Sequence, residues 1–168
     1  MISIHPIEIH AWPHYRDLRL RALLDSPDAF GSTHAQEVGR TDEAWSARAA
    51  MAASSERDRL LLAFDGDTPC GLLWCKLSMD EPGRADLYQM WVAPASRGKG
   101  AGRALLQAAL SWAAQAGARR ARLGVTVGDT PAMRLYLALG FVPVGLPEPL
   151  REGSHCMAQT MERALGPG

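Results

Sequence analysis

The chain has 168 residues, with 18 Lys and Arg against 18 Asp and Glu and an apolar fraction of 47%. That length suits one domain, 1–168, and the composition lies far from the polar, highly charged corner where chains stay disordered. Net charge names no partner; no stretch approaches the roughly 18 apolar residues of a membrane span, and residues 1–10 lack a basic region followed by an apolar signal core, so the expectation is a cytoplasmic protein with no membrane contact.

In chain order, residues 7–10 suit a short first strand. From His14 the apolar Tyr15, Leu18, Ala22 and Leu23 recur at helical spacing until Ser26-Pro27-Asp28 interrupts them. Thr41 followed by Asp42 and Glu43 reads as an N-cap with acids in the first turn, which starts a second helix near residue 42. The period then changes. Residues 60–64 and 70–77 are apolar runs joined by Asp65-Gly66-Asp67, a hairpin pattern, and residues 84–92 give a third strand. Leu105, Leu106, Ala109, Leu110 and Ala113 mark an amphipathic helix over 102–116 stopped by Gly117. Residues 121–127 form a strand, 130–139 a helix with Pro131 at its start and Gly140 past its end, and 141–144 and 155–161 two closing strands. The order predicts an α/β fold with mixed strand directions and helices packed on the sheet.

The strand 84–92 runs into the glycine-rich loop Arg97-Gly98-Lys99-Gly100-Ala101-Gly102-Arg103, which opens directly into a helix. Glycines let a backbone approach an anion closely, and free N–H groups at a helix start, reinforced by its dipole, bind phosphate. Arg97, Lys99 and Arg103 add positive charge. A Walker A loop is excluded because Lys99 is followed by Gly100 and not by Ser or Thr. The dinucleotide pattern G-x-G-x-x-G also fails: its last glycine would fall on Arg103 or Leu105.

Arg97-x-x-Gly100-x-Gly102 after a strand ending in Val92 resembles the acetyl-CoA signature of the GNAT N-acetyltransferase superfamily. Downstream, the strand at 123–127 with Asp129, Ala132, Leu135-Tyr136 and Leu139-Gly140-Phe141 is similar to that family's second cofactor-contacting strand and its LYxxxGF helix. The resemblance spans essentially the whole chain. It implies a mixed, mainly antiparallel sheet with two splayed central parallel strands, and an acetyl-CoA-dependent transfer of acetyl directly to a primary amine of a small molecule or peptide. Under it, the backbone of Arg97, Gly98, Lys99, Gly100, Ala101, Gly102 and Arg103 wraps the pyrophosphate, and the strand edge at Met90, Trp91 and Val92 pairs with the pantetheine arm. A backbone N–H at Met90 or Val92 would bond the thioester carbonyl. Tyr136 would protonate the leaving thiolate, a nearly balanced transfer if its pKa is ~10 against ~8.5 for the thiol. Asp86 falls where some members carry a base; water-mediated deprotonation is the equal alternative. Asp129 stands where many members have an asparagine, and reads either as a cofactor contact or as a cap for the following helix.

A non-catalytic acyl-CoA-binding module on the same scaffold is the rival reading. Nucleic-acid binding would rest on Arg119, Arg120 and Arg122, which follow a helix C-terminus with no aromatic stacking platform, so it is not expected. Cys70, Cys75 and Cys156 and the five histidines have no metal-ligand spacing, so no metal is expected, and a homodimer is left open. Charge is unevenly spread. Residues 87–128 hold six bases and no acid, while residues 1–86 hold fourteen acids and nine bases. The expectation is a cationic half suited to coenzyme A phosphates and a mildly anionic N-terminal lip, with Asp25, Asp28, Glu37, Asp42 and Glu43, facing an amine.

Overall fold

A computed structural model describes residues 1–166. In chain order the elements are β1 (Ile2–Pro6), α1 (Trp12–Asp25), a one-turn α2 (His34–Glu37), α3 (Asp42–Ser54), β2 (Asp58–Asp65), β3 (Thr68–Leu77), β4 (Arg84–Val92), α4 (Ala101–Gln115), β5 (Arg120–Thr126), α5 (Pro131–Ala138), β6 (Val142–Pro143), β7 (Glu148–Pro149) and β8 (Met157–Ala164). They build one sheet ordered β1-β2-β3-β4-β5-β8-β6, with β7 also on β8. Every pairing is antiparallel except β4 with β5.

Alternation along the strands divides the core between two faces. Leu60, Leu62, Leu72 and Trp74 meet Tyr15, Leu18 and Trp45 of α1 and α3; Leu61, Ala63, Leu73 and Cys75 meet Leu105, Leu106 and Ala109 of α4. The caps follow local chemistry: the hydroxyls of Thr41 and Thr130 accept from the N–H groups of Ala44 and Met133.

One expectation needs correction, and two short elements lie outside the expected order. The first strand is not 7–10 but Ile2–Pro6, where Ile2 and Ile4 reach the α4-side core while Ile9–Ala11 already coils as a 3-10 turn into α1. The short α2 carried a readable signal, the capping box Thr33-x-x-Gln36 with both reciprocal bonds formed. The two-residue β7 is formed by tertiary pairing with Met157 and Ala158, which no local pattern announces. Among the described residues no helix is long and apolar enough to cross a membrane.

Candidate functional site

The loop after β4 has two kinds of glycine. Gly98 and Gly100 sit at φ +80° and +85°, and a Cβ on either would meet nothing within 4 Å, so backbone handedness alone demands glycine there. Gly102 is required by crowding: its Cβ would lie 3.0 Å from Met90 Cε and 3.2 Å from Leu135 Cδ2, so this glycine lets α4 start close against β4 and α5. Gly100 is the N-cap of α4, with no side-chain cap and no acid in the first turn. The first N–H groups of a 15-residue helix are thus left without a side-chain acceptor at the positive end of its dipole, an arrangement suited to an anion.

The loop cations are not all free. Arg97 donates to the Val92 carbonyl (2.9 Å) and to Asp25 Oδ2 (2.7 Å), and Lys99 Nζ lies 2.7 Å from Asp65 Oδ2. Bonds from Ser26, Trp91 and Arg97 hold the Asp25 carboxyl below its ordinary range. Arg103 is exposed and forms no ion pair among the described residues. The charge asymmetry is therefore partly spent inside the molecule: acids of the N-terminal half neutralise two cations of the loop.

Beside the loop the sheet opens. β4 and β5 are in register only at Arg84, Ala85 and Asp86 against Arg120, Ala121 and Arg122. From Leu87 onward the β5-facing edge of β4 has no strand partner, and β5 turns to β8 on its other side through Thr126. The divergence coincides with a bulge: the β3–β4 register shifts between Leu72 and Trp74, and Gln89 adopts φ +62°. A non-glycine residue in that region is strained, and here the side chain is pinned by the Tyr15 hydroxyl, which donates to Gln89 Oε1 at 3.0 Å. A cavity of about 490 Å3 occupies the gap, with Met90, Leu106 and Tyr136 on its wall.

The model of the acetyltransferase (GNAT) family matches residues 16–141. The chain belongs to the GNAT acetyltransferase family. Among solved structures, a GNAT acetyltransferase from Streptococcus pneumoniae superposes with a TM-score of 0.84 at 22% identity, covering 99% of this chain and 100% of that one. A second, yncA from Salmonella typhimurium solved with its cofactor acetyl-CoA, gives 0.79 at 18% identity, covering 99% and 95%. Both likenesses speak for the fold. Mycothiol acetyltransferase of Kocuria rhizophila is 31% identical over 148 residues, 83% of this chain and 46% of the relative. This chain spans less than half the length of the curated relatives it matches.

Within the GNAT fold the remaining expected residues take distinct places. Tyr136 is 7% exposed, its ring 6.0 Å edge-on to Phe141, and burial pushes its phenol up to about 12. Its hydroxyl forms no hydrogen bond among the described residues, and it is not one of the sealed polar groups. Asp86 is buried and gripped by Arg84 through Nε at 2.8 Å and Nη2 at 3.2 Å, and it does not line the cavity. A carboxylate clamped bidentately is held as an ion-pair partner. Asp129 does not cap α5. Thr130 does, because its hydroxyl reaches the Met133 N–H, while Asp129 lies at the surface paired with Arg134 at 2.7 Å. Among the described residues no group of His, Cys, Asp or Glu gathers in metal-binding geometry.

The expected anionic lip is also corrected. Asp25 serves Arg97, Asp42 meets Arg16 at 3.2 Å, and Glu37 is buried beneath Arg19. Among the described residues no acid lines the cavity; Arg19, Arg48 and Lys76 do. Those arginines had a sequence signal, since Arg19 follows Tyr15 by four residues and Arg48 follows Trp45 by three, on the stripes that face the sheet. Gln89 had none, because a bulge depends on the partner strand.

Proposed function

We propose that this GNAT chain uses acetyl-CoA and passes the acetyl group directly to a primary amine. The observation that carries the reading is the gap between β4 and β5, whose cavity Met90 and Tyr136 line and whose β4 wall packs against the uncapped start of α4 at Gly102. The backbone of residues 97–103 would hold the pyrophosphate, with Arg103 as the cation left for it, and the edge of β4 at Met90 and Val92, unpartnered by β5, would face an extended pantetheine arm, while the backbone of Trp91 turns to β3. Acetyl-CoA supplies an activated acyl carbon whose bond to sulfur breaks as the bond to nitrogen forms. An N–H of that edge would stabilise charge on the carbonyl oxygen. Tyr136, protonated throughout the neutral range, would donate a hydrogen bond to the departing sulfur. With its phenol near 12, full proton transfer to a free thiolate is uphill by about three to four units, so electrostatic stabilisation outweighs the balanced transfer expected from an ordinary phenol. The amine loses its proton to water, since Asp86 is committed to Arg84.

The test is mass spectrometry of acetylated products after incubating the protein with acetyl-CoA and a panel of small-molecule amines and peptide N-termini. Acetylated product with release of free coenzyme A supports the reading; tight coenzyme A binding with no product across the panel rejects it in favour of a binding module.

Direct transfer carries its own prediction. Burial pushes the Cys75 thiol up to about 12 and raises Cys70 as well, so both are protonated and poor nucleophiles at neutral pH. Replacing Cys70, Cys75 and Cys156 together with Ala is expected to leave kcat within about threefold, an effect of under 1 kcal/mol on the barrier. Loss of turnover in a protein with an unchanged circular dichroism spectrum would indicate an acyl-enzyme instead.

A further inference from the structure

The wall of the cavity away from Tyr136 is built around an unbalanced cluster of charge. Glu37 is almost wholly buried, and three guanidinium groups converge on its single carboxylate: Arg19 with an Nη2 contact of 2.8 Å, Arg48 at 3.6 Å and Arg40 at 3.8 Å. The cluster keeps an excess of positive charge. Arg19, 4% exposed, has an Nη1 group shut from solvent with no hydrogen-bond partner; Arg48, partly exposed, turns its own Nη1 toward Glu37 Oε1 at 3.6 Å without a hydrogen bond. Their flat faces are occupied, Arg19 against Phe30 at 5.0 Å and Arg48 against Trp45 and Trp74 at 5.7 and 5.8 Å, and with Arg19 Nε and Nη2 bonded to Glu37 the Nη1 groups are the unsatisfied part. A buried cationic donor without an acceptor is costly, and the single carboxylate of Glu37 does not satisfy all the guanidinium donors gathered around it. Lys76 adds a third cation on that wall.

Resting on the acetyltransferase reading, we propose that the acceptor is a primary amine that also carries an acidic group, and that Arg19 and Arg48 bind this group while the amine points toward Met90 and Tyr136. The Tyr15 hydroxyl, one helical turn from Arg19 and bonded to Gln89, ties the cationic wall to the bulge that opens the gap. A polyamine or a lysine-rich peptide tail meets repulsion at this wall; an amino acid with a free carboxylate, or an aminoalkyl phosphate, meets complementary charge.

Steady-state kinetics with acetyl-CoA should compare α-amino acids with their primary amides, phosphoethanolamine with ethanolamine, and a polyamine. The acid of at least one pair is expected to exceed its neutral partner in kcat/KM by about tenfold or more, and the favoured pair tells carboxylate from phosphate. Arg48→Gln, at a partly exposed position and with folding checked by circular dichroism, is expected to raise the KM of the acidic acceptor by about tenfold. It should leave the neutral partner and the KM of acetyl-CoA unchanged, with partial recovery in Arg48→Lys. A merely structural role for Arg48 would affect both members of a pair equally, and that result, or a preference for the amides or the polyamine, overturns the proposal. Titration of the intrinsic tryptophan fluorescence with the same pairs, in the presence of coenzyme A, separates the two readings. Acid-selective binding without turnover rejects the transferase and keeps the anion site. Turnover or binding indifferent to the acid rejects the anion site and leaves the transferase standing.

Discussion

Tyr136→Phe is expected to lower kcat by about a hundredfold, the scale of losing one positioned donor to developing charge, while the KM of acetyl-CoA stays within about twofold. The phenol is buried beside Phe141, so the phenylalanine ring fills the same space and little stability is lost with the hydroxyl. The pH dependence supplies a second check. Because burial pushes the phenol up to about 12, the donor remains protonated well into alkaline solution, and it is lost only as pH rises through that value. The wild-type rate should therefore climb as the acceptor amine deprotonates and show no alkaline fall before about pH 11. The variant should follow the same rise to a lower plateau. An unchanged plateau in Tyr136→Phe, measured by initial rates across the pH range, would remove the hydroxyl from the mechanism.

Phe141→Ala is expected to destabilise the fold by about 3–5 kcal/mol and to lower kcat as well. Phe141 is 1% exposed, packs edge-on against Tyr136, and its N–H bonds the Tyr136 carbonyl at 3.0 Å. Deleting the ring leaves a cavity directly beside the Tyr136 phenol. That loss is a large share of the roughly 5–15 kcal/mol by which domains are usually stable, so urea unfolding should show a much lower midpoint with little change in slope. Phe141→Leu refills most of the volume and should recover most of the stability. Its kcat should stay closer to wild type than that of Tyr136→Phe, because Phe141 positions the phenol without touching the reacting atoms. A stable Phe141→Ala protein with full activity would show that the ring neither supports the core nor orients Tyr136.

The sequence and the structure divide the site along a recognisable line. Helix starts at Thr41 and Thr130, the hairpin turn at Asp65-Gly66-Asp67 and the glycine loop before α4 were legible because each depends on neighbours within a few residues. The limits of β4 were read to the residue, since its apolar pattern ends at Ala93-Pro94. The hold of Arg84 on Asp86 is not legible from position alone: Arg84 is two residues away, but their pairing depends on both side chains lying on one face of the strand. Asp129 was misplaced by one residue of cap geometry, a distinction between adjacent side chains that only the backbone turn resolves.

By itself the sequence determined the local chemistry: left-handed glycines, an uncapped helix start, a phenol on the helix before Gly140-Phe141, and the family these motifs carry. Tertiary structure alone decided which charges remain available. Arg97 is spent on a carboxylate 72 positions away and Lys99 on one 34 positions away, whereas Arg19 and Arg48 come together over Glu37 with donors to spare. A side chain's identity fixes its charge, but Coulomb energy and desolvation depend on the distance and burial of partners that chain order does not bring together. The sequence's apparent anionic lip for an amine is, in the folded protein, a cationic wall.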